Sequence, residues 1–307
     1  MADSTPFALV DVFTDQPLAG NPLALVPGAD ALPEELLPRI AREFNQAETT
    51  FLLRPTQPGA TWRLRSFTAA GVEVFGAGHN ALGAWWWLAA TELLGPRRGV
   101  GRWYQQLGSA VLPVEVTVDG SGRVEVAMEQ QAVEYGGLLA DRAALADALG
   151  VDGEALGAAA ELPVAQVVST GAAHLMVGLR DRDVVDGARP DAARLRTLLT
   201  DVGGQGVYLY ALDPAEADAD VHARFVNPVA GITEDPATGS AAGPLACLLS
   251  DHGRADDQVT IVQGHVLDRP SRIKVTVADG IPRLTGRAAL AATGELRLPT
   301  THPVAAP

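Results

Sequence analysis

One cysteine, Cys247, stands among 307 residues, inside the apolar stretch GPLACLLSD. An intrachain disulfide is therefore excluded, two-thiol acid–base chemistry lacks its second thiol, and no cysteine–histidine cluster has metal-ligand spacing. Cys247 reads as a buried helix residue. Positive charge is also scarce: 23 Lys and Arg against 37 Asp and Glu give a net charge of −14. Such a surface disfavours nucleic acid and anionic membranes as partners. An anionic ligand would have to be held by local donors such as helix N-termini. Long hydrophobic runs are missing as well, since the most apolar window, ALGAWWWLAA, is about half the length a membrane span needs. The N-terminus, MADSTPFALV, has no basic segment leading into an apolar one, so no signal peptide is expected and the cytoplasm is the expected compartment. What remains is ordinary globular composition, 47% hydrophobic and 20% charged, at a length that suggests two domains.

Strand patterns are many and short: 8–13, 23–26, 50–53, 62–67, 114–118 and 123–128. The alternation of Arg123-Val124-Glu125-Val126 fits a sheet with one buried face. Helical patterns are fewer, at 33–44, 79–94, 141–149, 191–199 and 240–251, with Gly95-Pro96 and His252-Gly253 as stop signals. Several of these elements recur at nearly constant spacing. LPEELLPRIAREF resembles RPDAARLRTLL, and Phe51-Leu52 matches Tyr208-Leu209. RSFTAAGV resembles ARFVNPVAGI, Gly78 matches Gly239, and VEVTVDG resembles IKVTVADG. Recurrence in one order predicts an internal duplication. The expected fold is α+β, with two pseudo-symmetric domains over 1–130 and 131–307. Each would be a curved, mainly antiparallel, barrel-like sheet around a central helix, with a terminal strand able to cross between them. The tail from Thr300 to Pro307 reads as loosely packed.

EVFGAGHNALG and EDPATGSAAG each place a glycine turn at the start of an apolar helix. A helix start offers unpaired N–H groups and partial positive charge, so two such starts facing one another would hold a carboxylate. On the bland reading Thr238 and Ser240 merely cap their helix, and the duplication weighs against that. His79 follows Gly78 and could relay a proton or donate a hydrogen bond. Asp235 precedes the second helix. Glu48, in NQAETTFLL, sits at the start of a strand; its counterpart 157 residues on is Gln205, a neutral amide. An ionisable group in one half only points to one-sided chemistry.

Four segments together resemble the phenazine-biosynthesis, PhzF-like isomerases of the diaminopimelate epimerase-like fold: VDVFTDQPLAGNPLALV, FNQAETTFLL, the Gly78-His79 turn and GITEDPATGSAAGPLACLL. The resemblance runs in order along nearly the whole chain, and EDPATGSA is its most specific part. It implies a cofactor-independent homodimer acting on a small carboxylated metabolite similar to trans-2,3-dihydro-3-hydroxyanthranilate. By motif it implies Glu48, His79 and Asp235 as catalytic residues, with Asn21, Gly78, Asn80, Thr238, Gly239 and Ser240 binding substrate and no metal. The chain departs from the family pattern at Phe67-Thr68-Ala69-Ala70-Gly71-Val72-Glu73, at Asn80-Ala81 and at Trp85-Trp86-Trp87. Asn80 either hydrogen-bonds a polar group of the substrate or serves only as a helix-start residue. Two rival readings are an epimerase using Glu48 and Asp235 as paired bases, and a binding protein that kept the cleft without the chemistry.

Overall fold

The structure, a computed structural model, describes residues 4–95, 98–214, 216–256 and 258–299; the tail 300–307 lies outside them. The first half runs β1 (Ser4–Val12), β2 (Asn21–Val26), α1 (Leu37–Phe44), β3 (Glu48–Leu53), β4 (Trp62–Thr68), β5 (Glu73–Val74), α2 (His79–Ala90), β6 (Gly99–Leu107), β7 (Ala110–Val118) and β8 (Val124–Glu129). The second half runs β9 (Glu134–Leu138), α3 (Arg142–Leu149), β10 (Ala165–Ser169), β11 (Ala173–Gly178), α4 (Arg182–Gly187), α5 (Ala192–Val202), β12 (Gly206–Ala211), β13 (Val221–Asn227) and β14 (Ile232–Asp235). It continues with α6 (Gly239–Asp251), β15 (Gln258–Gln263), β16 (Ser271–Ala278), β17 (Ile281–Gly286) and β18 (Ala288–Arg297). The fold is α+β and sheet-rich.

The strand pairings repeat. β1–β2 is antiparallel, β2–β3 parallel, β3–β4 and β4–β5 antiparallel, and β4–β6 parallel. The series β10–β11, β11–β12, β12–β13, β13–β14 and β13–β15 has the same directions in the same order. β8 and β17 pair antiparallel across the junction. The strand after β8 and the strand after β17 play matching parts: β9 pairs with β10, the first strand of the second repeat, and β18 pairs with β1, the first strand of the first.

Each sheet wraps an apolar helix. In α2, Ala81, Leu82, Ala84, Trp85 and Leu88 are buried; in α6, Leu245, Ala246, Cys247, Leu248 and Leu249 are. A helix apolar on every side has to be covered on every side. The indole N–H of Trp85 finds an acceptor in Gln105 Oε1 at 3.0 Å, which removes the penalty of burying it. Leu82 and Trp85 share one continuous core with Leu245 and Leu249, so the halves are joined by apolar packing as well as by strands. α1 covers the outer face of the first half, α3 and α5 that of the second. Helix boundaries moved slightly from expectation. Residues 34–36 form a 3-10 turn before α1, and α2 ends at Ala90 rather than 94. The six-residue α4 is too short to show a helical period. Among the described residues no helix is long and apolar enough to cross a membrane.

Strand register corrects one expectation. Phe67 pairs with Thr49 and Ser66 with Thr50, whereas Val226 pairs with Val207 and Phe225 with Tyr208. Matching β4 to β13 through Arg65 and Arg224 makes Thr49 equivalent to Val207 and Glu48 equivalent to Gly206. The similarity of Phe51-Leu52 to Tyr208-Leu209 is one residue out of step. Because strand side chains alternate, an odd shift places equivalents on opposite faces. Leu52 and Tyr210 lie in the central core, while Phe51 and Leu209 lie in the outer ones. Gln205 is exposed and belongs to the wrong face, so the counterpart of Glu48 has no side chain.

Candidate active site

The two helix starts are set by matched hairpins. Arg65 holds Glu73 through Nε and Nη2 at 2.7 and 2.8 Å, bracing β4 against β5. Arg224 holds Glu234 in the same fork, at 2.9 and 2.8 Å, bracing β13 against β14. Planar guanidinium–carboxylate forks of this kind fix direction as well as distance. Each hairpin then releases the chain into its glycine turn and helix. Asp141, Asp181 and Asp191 cap α3, α4 and α5 with their carboxylates, but neither Gly78 nor Thr238 caps its helix with a side chain. Thr238 instead donates its hydroxyl to Asp235 Oδ2, so the capping reading of Thr238 does not hold.

Asp235, at the end of β14, is the centre of a network drawn from both halves. Asn21 Nδ2, at the start of β2, donates to Asp235 Oδ1 at 2.8 Å and to the Ala237 carbonyl at 2.9 Å. Gln263 donates to the Asp235 carbonyl and to Thr238 Oγ1, and accepts from Thr238 N–H and Tyr208 O–H. Asn21 is aimed by the turn before it. The buried carboxylate of Asp11 accepts from Leu18 N–H at 2.7 Å and from Arg269 at 2.6 Å, and Arg269 also donates to the Ala19 and Gly20 carbonyls. Gly20, at φ +62°, has room for no side chain against the Val12 carbonyl.

Glu48 opens β3 on the face that turns toward α2. Its Oε2 is buried and unpartnered. Desolvation pushes its carboxyl up to about 8, and the nearby Asp235 charge adds to the rise. Asp235 is raised only to about 6, because its desolvation is opposed by the hydrogen bonds from Thr238 and Asn21. Of the two carboxyls, Glu48 therefore holds its proton more tightly. His79, the first residue of α2, has a buried Nε2 without a partner, and burial holds the ring down at about 4, so it is neutral at pH 7.

The remaining sequence-predicted residues fall into two groups. Gly78, Gly239 and Ser240 lie at the helix starts. Asn80 does not present its amide to the cleft: Nδ2 donates to the Gly76 carbonyl and Ser66 Oγ, and Oδ1 accepts from Gly78 N–H at 2.7 Å. Asn80 itself is buried, and with both amide hydrogens engaged it shapes the more open Gly76–Gly78 loop. Asp11, Gln263, Tyr208 and Arg269 support the site and were missed. Asp11 and Tyr208 lay within segments quoted from the sequence, but nothing local marks the partner of Asp11, 258 residues away.

Duplicated half-sheets around apolar helices, meeting where carboxylates from both halves approach, define the epimerase–isomerase class of fold. The phenazine biosynthesis-like family, PhzC-PhzF, matches residues 10–294, and the chain belongs to it. Trans-2,3-dihydro-3-hydroxyanthranilate isomerase of Pseudomonas aeruginosa is 32% identical over 269 residues, covering 87% of this chain and 88% of the relative. A PhzF-family phenazine biosynthesis protein of Bacillus anthracis superposes with a TM-score of 0.86 at 24% identity, over 97% of this chain and all of that one. A hydroxyproline epimerase of Agrobacterium vitis shares the fold, with a TM-score of 0.64 at 12% identity over 99% and 94% of the two chains. The protein is an isomerase.

Proposed function

We propose that this isomerase moves a proton between two carbons of a small, carboxylate-bearing, conjugated metabolite, with Glu48 as the group that carries it. The observation behind this reading is the contrast between two neighbouring carboxyls. Asp235 is held by Asn21 and Thr238, whereas Glu48 Oε2 is buried, unpartnered and raised toward neutral pH. A carboxyl with an acidity near working pH can both take and return a proton. Ionised Glu48 removes a proton from an acidic carbon, the electron pair delocalises toward the conjugated system, and protonated Glu48 returns the proton to another carbon on the same face. The uncapped starts of α2 and α6 and the neutral imidazole of His79 meet the developing negative charge. The named relative acts on trans-2,3-dihydro-3-hydroxyanthranilate, and that compound is the first substrate to try.

Glu48→Gln keeps shape and removes the base. Followed by NMR with trans-2,3-dihydro-3-hydroxyanthranilate, it should lose turnover by roughly 10²–10⁴-fold. Near-normal turnover by Glu48→Gln would remove Glu48 from the role.

The electrostatic coupling of Glu48 to Asp235 favours one second reading, an epimerase with a base from each half. Heavy water separates the two, because epimerisation labels the stereocentre with deuterium while a one-base shift retains substrate hydrogen.

A further inference from the structure

The second half carries a polar pair where the first half carries its proton-transfer groups. β11 pairs with β12 as β2 pairs with β3, so His174 stands opposite Gly206 as Leu23 stands opposite Glu48. A side chain on Gly206 would strike the Phe225 ring, whose Cζ lies 2.5 Å from the position of an added Cβ. The Phe225 ring meets His174 edge-on at 4.9 Å. His174 is 3% exposed, and its Nε2 lies 3.2 Å from the hydroxyl of Ser240, the counterpart of His79 at the start of α6. Its Nδ1 is buried with no partner.

We infer that His174 is a positioning residue that donates Nε2–H to Ser240 Oγ, leaving the Ser240 O–H free to donate to the substrate's carboxylate or carbonyl. This rests on the placement of substrate between the starts of α2 and α6 proposed above. The direction of the bond follows from the orphaned Nδ1. Burial holds the ring down at about 4, so it carries one hydrogen at neutral pH. A hydrogen on Nδ1 would be a buried donor with nothing to receive it, whereas a bare Nδ1 is only an unused lone pair, the better tolerated of the two. With the hydrogen on Nε2, Ser240 accepts from the ring and its own hydrogen points elsewhere. The duplicated site is then divided by role: Glu48 carries the proton beside His79 in one half, and His174 and Ser240 supply a hydrogen-bond donor from the other.

Long-range ¹H–¹⁵N correlation on ¹⁵N-histidine-labelled protein reads the tautomer directly and needs no turnover. The expected result is Nε2–H on His174, with its resonances displaced in Ser240→Ala. An Nδ1–H tautomer would overturn the inference, because Ser240 would then donate to the ring. Affinity is read on Glu48→Gln, which keeps the pocket without consuming substrate. Adding His174→Leu, which installs the residue Leu23 provides in the other half, should weaken binding of trans-2,3-dihydro-3-hydroxyanthranilate about tenfold. His174→Gln, which retains a donor, should recover most of the loss. In the Ser240→Ala background His174→Leu should add little; a full additive loss there would show that His174 acts only through packing and would also overturn the inference. If Glu48→Gln binds none of this compound while the tautomer is Nε2–H, the substrate assignment fails and the positioning role of His174 stands.

Discussion

Glu48 is costly to ionise where it sits, and this has a measurable sign. Its unfolded value is 4.5 and its folded value is raised to about 8. Between these the folded state binds more protons than the unfolded one, so its contribution to stability is complete below 4.5 and lost as pH climbs through 8. Glu48→Gln removes that loss. Thermal melts of the variant and the parent should diverge in the variant's favour as pH rises from 5 to 9, by on the order of a few degrees at the upper end. A constant difference across that range would mean that Glu48 is not buried as a carboxylic acid. His79 works in the opposite sense, since its folded value is depressed to about 4; its contribution falls in both proteins as pH drops from 6.5 toward 4, and in the parent alone this fall is opposed by the stability Glu48 regains down to 4.5. The sequence made Glu48 and His79 visible as candidates, because their motifs are local. It could not make their acidities visible, since these come from burial and, for Glu48, also from Asp235, 187 positions further along the chain. Asn80 illustrates a related point: an amide beside His79 looks available until the turn that engages both its hydrogens is seen.

At the level of elements, the two β-hairpins that aim the helices are alike in design and unequal in burial. The Arg224–Glu234 side chains are 5% and 11% exposed, against 11% and 25% for Arg65–Glu73. Arg224 also donates to the Val185, Asp186 and Ala188 carbonyls around the end of α4, satisfying carbonyls that a helix end leaves open. Removing one partner of a buried pair leaves an uncompensated charge and costs about 3–5 kcal/mol. Arg224→Met should therefore lower the melting temperature clearly more than Arg65→Met, and equal losses would refute this weighting. The duplication itself was legible in the recurring segments, and so were most strands of the first half. Exact register was not. The aromatic–aliphatic likeness of Phe51-Leu52 to Tyr208-Leu209 suggested a spacing of 157, and residue similarity carries no information about which face a strand residue occupies. Pairing does, and it replaced Gln205 with Gly206. The asymmetry of the two halves is greater than Gln205 suggested, since at Gly206 the second half has no side chain at all.

The molecule as a whole is held by exchange between its halves. β18 completes the sheet of the first half along β1, Gly286 of β17 packs against Phe13 and Leu82, and Gly239 packs against Leu284 and Phe13. Leu82 and Leu245 belong to one core. A fragment of residues 1–130 would expose the unpaired edge of β1 and the apolar flank of α2. It should show no cooperative thermal transition by circular dichroism, whereas the full chain unfolds in a single one. A fragment that melts cooperatively would show the first half to be an independent folding unit.

The pairing of β1 with β18 begins at Ser4 opposite Arg297, so the two ends of the described chain lie side by side. The fold is in effect a ring that has been opened at one point. A short linker could close it there, and the connection between β8 and β9 could be opened instead, giving a permuted chain that starts with the second half and makes every pairing the natural order makes. Nothing in the architecture prefers one half to come first. At the candidate site the two halves differ at a few positions, where Glu48 and His79 are answered by Gly206 and Ser240.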